Sequence, residues 1–176
     1  MWPFLGNEAV ARGELSAWEL RTNYRSVYRN VYIAKSAALT AADRAYAAWL
    51  WCGGDATLTG MSAAAVLGTK WIDANLAAEF RRLDRRHPPG IVVRTYALAP
   101  DDVYWVDDMR LTTPERTAFD IGRLLLPDRS IPVLDALAQA TNVKVADVLA
   151  LAEGRAGVRG RRRLSSALAL VDGGAE

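Results

Sequence analysis

Cysteine and histidine are almost absent from this chain of 176 residues, which has one of each, Cys52 and His87. A single cysteine cannot form an internal disulfide, and the pair cannot supply the four Cys or His ligands of a structural zinc site. A Ser-His-Asp set is equally unsupported, because the lone histidine lies in the turn-like segment RRHPPG. We predict a packed thiol at Cys52 and an exposed loop imidazole at His87.

Long apolar runs and phosphate-binding glycine motifs are also missing. No stretch approaches the roughly 18 apolar residues that span a bilayer, and the N-terminus lacks the basic-then-apolar layout of a signal peptide. Neither G-x-x-x-x-G-K-[ST] nor G-x-G-x-x-G occurs, so nucleotide binding has no support. We therefore expect a cytoplasmic protein that contacts no membrane and uses no cofactor.

Lysine is scarce: of 22 cationic residues only three are lysine, which leaves 22 − 3 = 19 arginines. A GC-rich genome explains most of them, although the guanidinium group also suits bidentate phosphate contacts. The net charge is only +2, but cations concentrate in 21–35, 81–86 and 155–163, and acids in 101–120. The hydrophobic content of 51% is that of an ordinary globular protein, with room for a small N-terminal module and a second domain.

The N-terminal segment reads as two short helices. The first starts at Gly6 or Asn7 and ends at Gly13, as a C-terminal glycine would end it. Ser16 opens the second helix, because Glu19 follows at the spacing of a reciprocal capping box. Two helices joined by a short glycine-containing turn are typical of a helix-turn-helix.

A basic two-stranded ribbon follows these helices. Leu15 and Trp18 form a narrow apolar seam on the second helix, after which the apolar period switches to two over 24–35. Arg29-Asn30 is the predicted turn of the hairpin. The order of helix, capped helix and basic ribbon predicts a winged helix-turn-helix over residues 1–36.

A winged helix would place the second helix in the DNA major groove and the ribbon on phosphates. The predicted base contacts are Ser16, Ala17, Arg21 and Asn23, and the predicted phosphate contacts are Arg25, Arg29 and Lys35. The alternative is a structural hairpin, in which Tyr24, Tyr28 and Tyr32 form an aromatic ladder on one face and the arginines are merely solvated.

Residues 37–176 predict a mixed sheet-and-helix domain that ends in several helices, so the whole chain is α+β. Predicted helices start at the caps Thr40, Ser62 and Thr113-Pro114 and end at Gly53-Gly54, Gly68 and about Leu126. Predicted strands are Ala56–Thr59, 77–83, 91–97 and the hairpin Val103–Val106 with Met109–Thr112. Later helices are predicted at 131–140, 144–153 and 161–171, with Gly154 and Gly173 as stops.

Two groups of charged residues invite a functional interpretation. The paired acids Asp101-Asp102 and Asp107-Asp108 are interpreted as turn formers, so we predict no metal site and no catalytic residue. Arg161, Arg162 and Arg163 start a helix, where cations oppose the helix dipole. They are either solvated or in contact with a polyanion or an acidic partner surface.

The segment TTPERTAFDIGR predicts an architectural helix. Its apolar face is expected to dock on a sheet, with three charged residues outside or at the edge of that face: Arg116, Asp120 and Arg123. Arg116 and Asp120 are four positions apart on the helix and can therefore pair.

Three motifs carry a family resemblance: TGMSAAAVLGTKWID (59–73), PPGIVVRTYALAPDDV (88–103) and LTTPERTAFDIGR (111–123). Together with the N-terminal pattern they resemble the AbiEi-like antitoxin and transcriptional-regulator group. The chain is most similar to actinobacterial proteins in which this region precedes an endonuclease domain of the very-short-patch-repair type. The resemblance implies a winged helix that binds operator DNA and a following domain that serves as antitoxin or scaffold.

The sequence ends at LVDGGAE, about where those relatives continue into the nuclease. The resemblance thus implies a short form whose nuclease acids, if any, would lie beyond Glu176. Our leading hypothesis is a DNA-binding transcriptional regulator of the type IV antitoxin kind, without catalysis. A truncated or split member of a DNA-processing nuclease family and a toxin-binding interaction module are the alternatives. The expected partners are double-stranded DNA and a cognate toxin, and a second copy of the chain in a homodimer is a further candidate partner.

Overall fold

A computed structural model describes residues 2–155 and 157–172 of the protein, with eight α-helices and two β-sheets in that part of the chain. The α+β class predicted from the sequence is confirmed. Within the same residues no helix combines the length and apolar character needed to cross a membrane. The predicted helix stop at Gly173 lies outside the described residues.

The N-terminal part has two helices and a small three-stranded sheet. In chain order these elements are β1 (Phe4–Leu5), α1 (Gly6–Ala11), α2 (Ala17–Asn23), β2 (Tyr24–Tyr28) and β3 (Val31–Ala34). The strands are antiparallel and lie in the order β1-β3-β2. The predicted order of two helices and a hairpin is therefore present, with the turn at Arg29-Asn30.

Local signals in the sequence fix both ends of the link between α1 and α2. Gly13 has a φ of 71°, and its N–H donates to the Val10 carbonyl at 3.0 Å, so the left-handed glycine ends α1 as predicted. At the start of α2, the Glu19 N–H donates to Ser16 Oγ at 3.1 Å, and the Ser16 N–H donates to Glu19 Oε2 at 2.8 Å. The predicted capping box is confirmed.

The middle of the chain forms a five-stranded mixed sheet. Its elements are α3 (Ala41–Trp51), β4 (Thr57–Leu58), α4 (Gly60–Val66), β5 (Ala78–Arg81), β6 (Ile91–Arg94), β7 (Val103–Val106) and β8 (Met109–Thr112). The strand order is β6-β5-β4-β8-β7, with β4 parallel to β8 and β5 parallel to β6. Residues of the hairpin, α3 and the larger sheet share one apolar core, so the N-terminal part packs on the sheet through α3.

Four helices follow: α5 (Pro114–Leu124), α6 (Pro127–Thr141), α7 (Val145–Glu153) and α8 (Arg161–Asp172). They form a second core around Phe119, Ile121, Leu137 and Leu164. The expectation that α5 docks its apolar face on a sheet is wrong in the main, because α5 packs chiefly among α4, α6, α7 and α8. Its apolar side chains meet other helices, a distinction that helical periodicity does not make.

Two helix starts differ from prediction. Ser62 does not cap α4, which begins at Gly60 after Thr59. The Ser62 hydroxyl instead accepts the backbone N–H of Glu79 at 2.8 Å, so a neighbouring strand has taken the group that would cap the helix. Helix α6 begins at Pro127, upstream of the predicted start, since proline suits the first helical position.

Candidate nucleic-acid interface

The second helix of the N-terminal part presents its side chains to solvent. None of the seven residues of α2 is buried, and the Trp18 side chain is 65% exposed. The predicted apolar seam of Leu15 and Trp18 is therefore wrong for Trp18. Ala17, Arg21 and Asn23 are exposed as well.

Contacts at both ends hold α2 in place. Ser16 caps its N-terminus, and at its C-terminus the Lys35 ammonium donates to the carbonyls of Arg21 at 3.0 Å and Thr22 at 2.7 Å. A cation at the last carbonyls also complements the helix dipole. Because Ser16 Oγ and Lys35 Nζ are engaged in these contacts, both side chains act first as supports of α2.

The ribbon next to α2 is fixed through its turn. Asn30 adopts a φ of 65°, which asparagine tolerates, and its side-chain amide donates to Asn7 Oδ1 at 2.6 Å. Arg29 in the same turn is exposed. Arg25 is half-buried and donates to the Ala37 carbonyl at 3.2 Å. Within the part of the chain that the structure describes, the Arg29 guanidinium at the tip of the hairpin has no polar partner, and the Arg25 guanidinium is tethered along its length.

The three tyrosines of the hairpin do not form a ladder on one face, so that part of the alternative interpretation is wrong. Tyr24 and Tyr32 pack against Phe4, with ring centroids 5.1 and 6.4 Å from it. A register shift between Ser26 and Tyr28 turns Tyr28 into the core, where its hydroxyl donates to the Gly90 carbonyl at 3.0 Å. A bulge of this kind leaves no trace in the alternation of residue types.

The charge of this surface is one-sided. Residues 21–35 contain four cations and no carboxylate. The nearby Arg12 differs, because it pairs with Glu14 at 2.7 Å and with Glu8 at 3.2 Å. The carboxylate of Glu19 on α2 is engaged in the capping box with Ser16. The predicted contacts of α2 and of the hairpin therefore lie close in sequence to four cations, and positive charge attracts polyanions.

The remaining predicted cations, Arg161, Arg162 and Arg163, lie elsewhere, in the exposed first turn of α8. Arg162 and Arg163 line an open groove of about 660 Å³ together with Arg123 and Arg159. Arg163 also donates to the carbonyl of Leu124 at 3.1 Å.

A buried ionic network was missed by sequence reasoning. Arg116 is 3% exposed and pairs through Nε with Asp120 at 2.8 Å and through Nη1 with Asp102 at 2.6 Å. Arg123 pairs with Asp120 at 2.7 Å, and Arg155 reaches the second oxygen of Asp102. These three residues were predicted to lie outside or at the edge of the apolar face of their helix. That prediction is wrong, because Arg116, Asp120 and Arg123 are all buried.

Aromatic rings complete the surroundings of this network. The guanidinium groups of Arg116 and Arg123 lie 5.1 and 4.9 Å from the centre of the Tyr96 ring. Burial lowers the pKa of Arg116, but Asp120 and Asp102 more than offset this and leave the pKa raised. Each carboxylate is thus paired with two guanidinium groups, and the network joins α5 and the segment just after α7 to the residues before β7.

Sequence offered one signal for this network, the four-residue spacing of Arg116 and Asp120. The carboxylate of Asp102, read as a turn former, does accept the Ala99 N–H at 2.8 Å. The pairing of Asp102 with Arg155 could not be predicted from local sequence, since Arg155 lies 53 positions away. Within the described residues no group of three or more His, Cys, Asp or Glu could hold a metal ion.

Comparison with known proteins identifies the larger part of the chain. The protein belongs to the AbiEi antitoxin C-terminal domain family, whose model matches residues 47–170. The match covers the end of α3, the five-stranded sheet and the four C-terminal helices up to the last turn of α8. No curated protein matches the chain.

Proposed function

We propose that this protein is a DNA-binding antitoxin, in which residues 1–36 act as a winged helix-turn-helix and residues 37–176 as the antitoxin domain. The observation that supports it best is α2, a short helix with no buried residue that is nevertheless fixed at both ends. A seven-residue helix is unstable alone in water. Its supports therefore keep the outer face of α2 ordered and accessible to a partner.

The proposal gives the exposed side chains distinct roles. Ala17, Arg21 and Asn23 face solvent and would meet base edges in the major groove, where arginine can bond guanine bidentately. Arg29 and Arg25 would contact phosphates, which orient the protein without reading sequence. Ser16 and Lys35 would act at the interface by holding α2 in place. Any further contact to DNA would use hydrogen bonds that the Ser16 hydroxyl and the Lys35 ammonium do not form within the protein.

The C-terminal part is proposed to bind a cognate toxin, as membership of an antitoxin family suggests. Arg161, Arg162 and Arg163 would serve as secondary contacts to a polyanion, because they lie in the exposed first turn of α8, where their charges oppose the helix dipole. A homodimer on a two-fold operator is compatible with this arrangement. No catalytic step is proposed for this chain.

A gel shift on the protein's own promoter region tests the DNA-binding role. The Arg21→Ala variant should lose about 1–3 kcal/mol of binding free energy on the promoter and much less on a scrambled duplex, because one base contact is removed. Arg129→Ala, which removes an exposed arginine from α6, is the matched control and should bind like the wild type. Equal losses for Arg21→Ala on both duplexes would refute base reading by α2.

A further inference from the structure

A small pocket beside the tip of the β7–β8 hairpin combines aromatic rings with carboxylates. It has a volume of about 210 Å³ and is lined by Trp2, Tyr46, Asp107, Asp108 and Met109. The Trp2 and Tyr46 rings lie 5.5 Å apart at an interplanar angle of 83°, so two walls of the pocket are aromatic and perpendicular. Tyr46 is itself held by stacking on Trp49, with centroids 5.9 Å apart.

The two carboxylates at the hairpin turn have no side-chain partner among the described residues. Asp107 and Asp108 are both exposed, and neither side chain forms a hydrogen bond or an ion pair with residues 2–155 or 157–172. Their negative charge reaches the aromatic wall, because burial first, and then Asp108 and Asp107, raise the pKa of the Tyr46 hydroxyl. Negative charge beside aromatic rings favours the binding of a cation.

We propose that this pocket binds the cationic side chain of an arginine or lysine on a partner protein. Ring faces of tryptophan and tyrosine attract an ammonium or guanidinium group, and the two carboxylates add hydrogen-bond acceptors of opposite charge. With Trp2 and Tyr46 at right angles, the alkyl stem can lie along one ring while the charged head meets Asp107 or Asp108.

Size and surroundings favour a protein side chain over a free small molecule. The volume of 210 Å³ lies below the roughly 300–1,000 Å³ of small-molecule sites, and it admits one long side chain. One wall of the pocket also remains open to solvent, because Trp2 is 60% exposed. An exposed tryptophan at a charged pocket is typical of protein interfaces.

The test is a titration of the full chain, labelled with ¹⁵N, with the peptide acetyl-Gly-Arg-Gly-amide, observed through the indole N–H signals of tryptophan. Trp2→Phe assigns the signal of Trp2. The Trp2 signal should shift saturably with the arginine peptide and with its lysine analogue. The neutral glutamine analogue should leave it unchanged.

The variant Asp107→Asn/Asp108→Asn should raise the dissociation constant of the arginine peptide about fivefold to tenfold, because two exposed charge contacts are removed. Asparagine tolerates the φ of 49° at position 107, so the turn is kept. Asp147→Asn/Glu153→Gln removes the same charge from α7 and should bind like the wild type.

The proposal is overturned by an unshifted Trp2 signal at tens of millimolar peptide, by equal binding of the glutamine peptide, or by full affinity in the Asp107/Asp108 variant. Choline in place of the peptide distinguishes a site for free cations: choline binding without peptide binding also overturns it. None of these results depends on DNA binding, so failure here leaves the proposed function of α2 untouched.

Discussion

Asp120 is the more deeply buried of the two carboxylates in the ionic network. It lies fully buried in α5 and accepts hydrogen bonds from Arg116 Nε and Arg123 Nε. The desolvation of these charges is compensated only while each partner stays in place. Removal of one partner leaves an uncompensated guanidinium in the interior.

Asp120→Asn is therefore expected to lower the free energy of unfolding by about 3–5 kcal/mol, the cost of breaking a buried ion pair. Urea denaturation followed by circular dichroism measures this loss. Asp101→Asn changes an exposed acid next to the network and should stay within about 0.5 kcal/mol of the wild type. Similar losses for the two variants would mean that the network contributes no special stability.

Glu79 is a second buried acid, and its titration makes stability depend on pH. It pairs with Arg94 at 2.6 Å, yet burial raises its pKa above the ordinary value of 4.5 because desolvation outweighs that pairing. The folded protein then binds the proton more tightly than the unfolded chain does. Stability that Glu79 provides below about pH 4.5 is accordingly lost as the pH rises through its raised pKa.

Glu79→Gln keeps the side chain neutral at every pH. The free energy of unfolding of this variant, relative to the wild type, should therefore increase between about pH 4 and pH 8. Urea titrations at the two pH values measure the difference, with the exposed Glu153→Gln on α7 as the control that shows no such trend. A relative increase for the wild type instead would show that Arg94 dominates and that the pKa is lowered.

At the scale of elements, predictions succeeded where the cause is local. The predicted capping box of α2, the Thr40 cap of α3 and the proline start of α5 involve residues no more than three positions apart, so the sequence displays both partners. The Ser62 cap failed because the competing group, the Glu79 N–H, lies 17 positions away on β5. The hydrogen-bond partner of the Ser62 hydroxyl is determined by tertiary structure, so local spacing could not reveal it.

The junction of α5 and α8 is tight enough to require glycine. Gly160 precedes α8 with a φ of 93°, and a Cβ there would collide with the Arg123 carbonyl oxygen. Gly157 also has a positive φ, of 84°, but open space surrounds its missing Cβ. Substitution of each glycine by alanine therefore distinguishes the cost of a left-handed backbone, present at both positions, from the cost of a steric collision, present only at Gly160.

Gly157→Ala should cost about 1–2 kcal/mol of unfolding free energy through its left-handed backbone alone. Gly160→Ala should cost about 1–3 kcal/mol more, because the added methyl must also displace main-chain atoms of α5. Urea denaturation compares the two variants directly. Equal costs would contradict the close approach of α8 to the end of α5.

At the scale of the whole molecule, the sequence predicted the fold class, but it did not predict which elements pack in which of the two cores. Periodicity identifies an apolar face without naming what covers it, and so α5 was assigned to a sheet although it lies among helices. The order of α2 and the hairpin was easier to predict, because the two elements are contiguous in sequence. What the sequence could not indicate was the exposure of Trp18 and the bulge that turns Tyr28 inward.

The central proposal, that α2 and the basic hairpin bind duplex DNA, is tested most directly by the salt dependence of binding. Fluorescence anisotropy with labelled promoter DNA gives the slope of log Kd against log salt for the wild type and for Arg25→Ala/Arg29→Ala. Each lost phosphate contact should reduce the slope by about one unit, so the double variant should lose about two. Arg129→Ala should leave the slope unchanged. A well-folded wild type that fails to bind at low salt, or a double variant with the wild-type slope, would contradict the account.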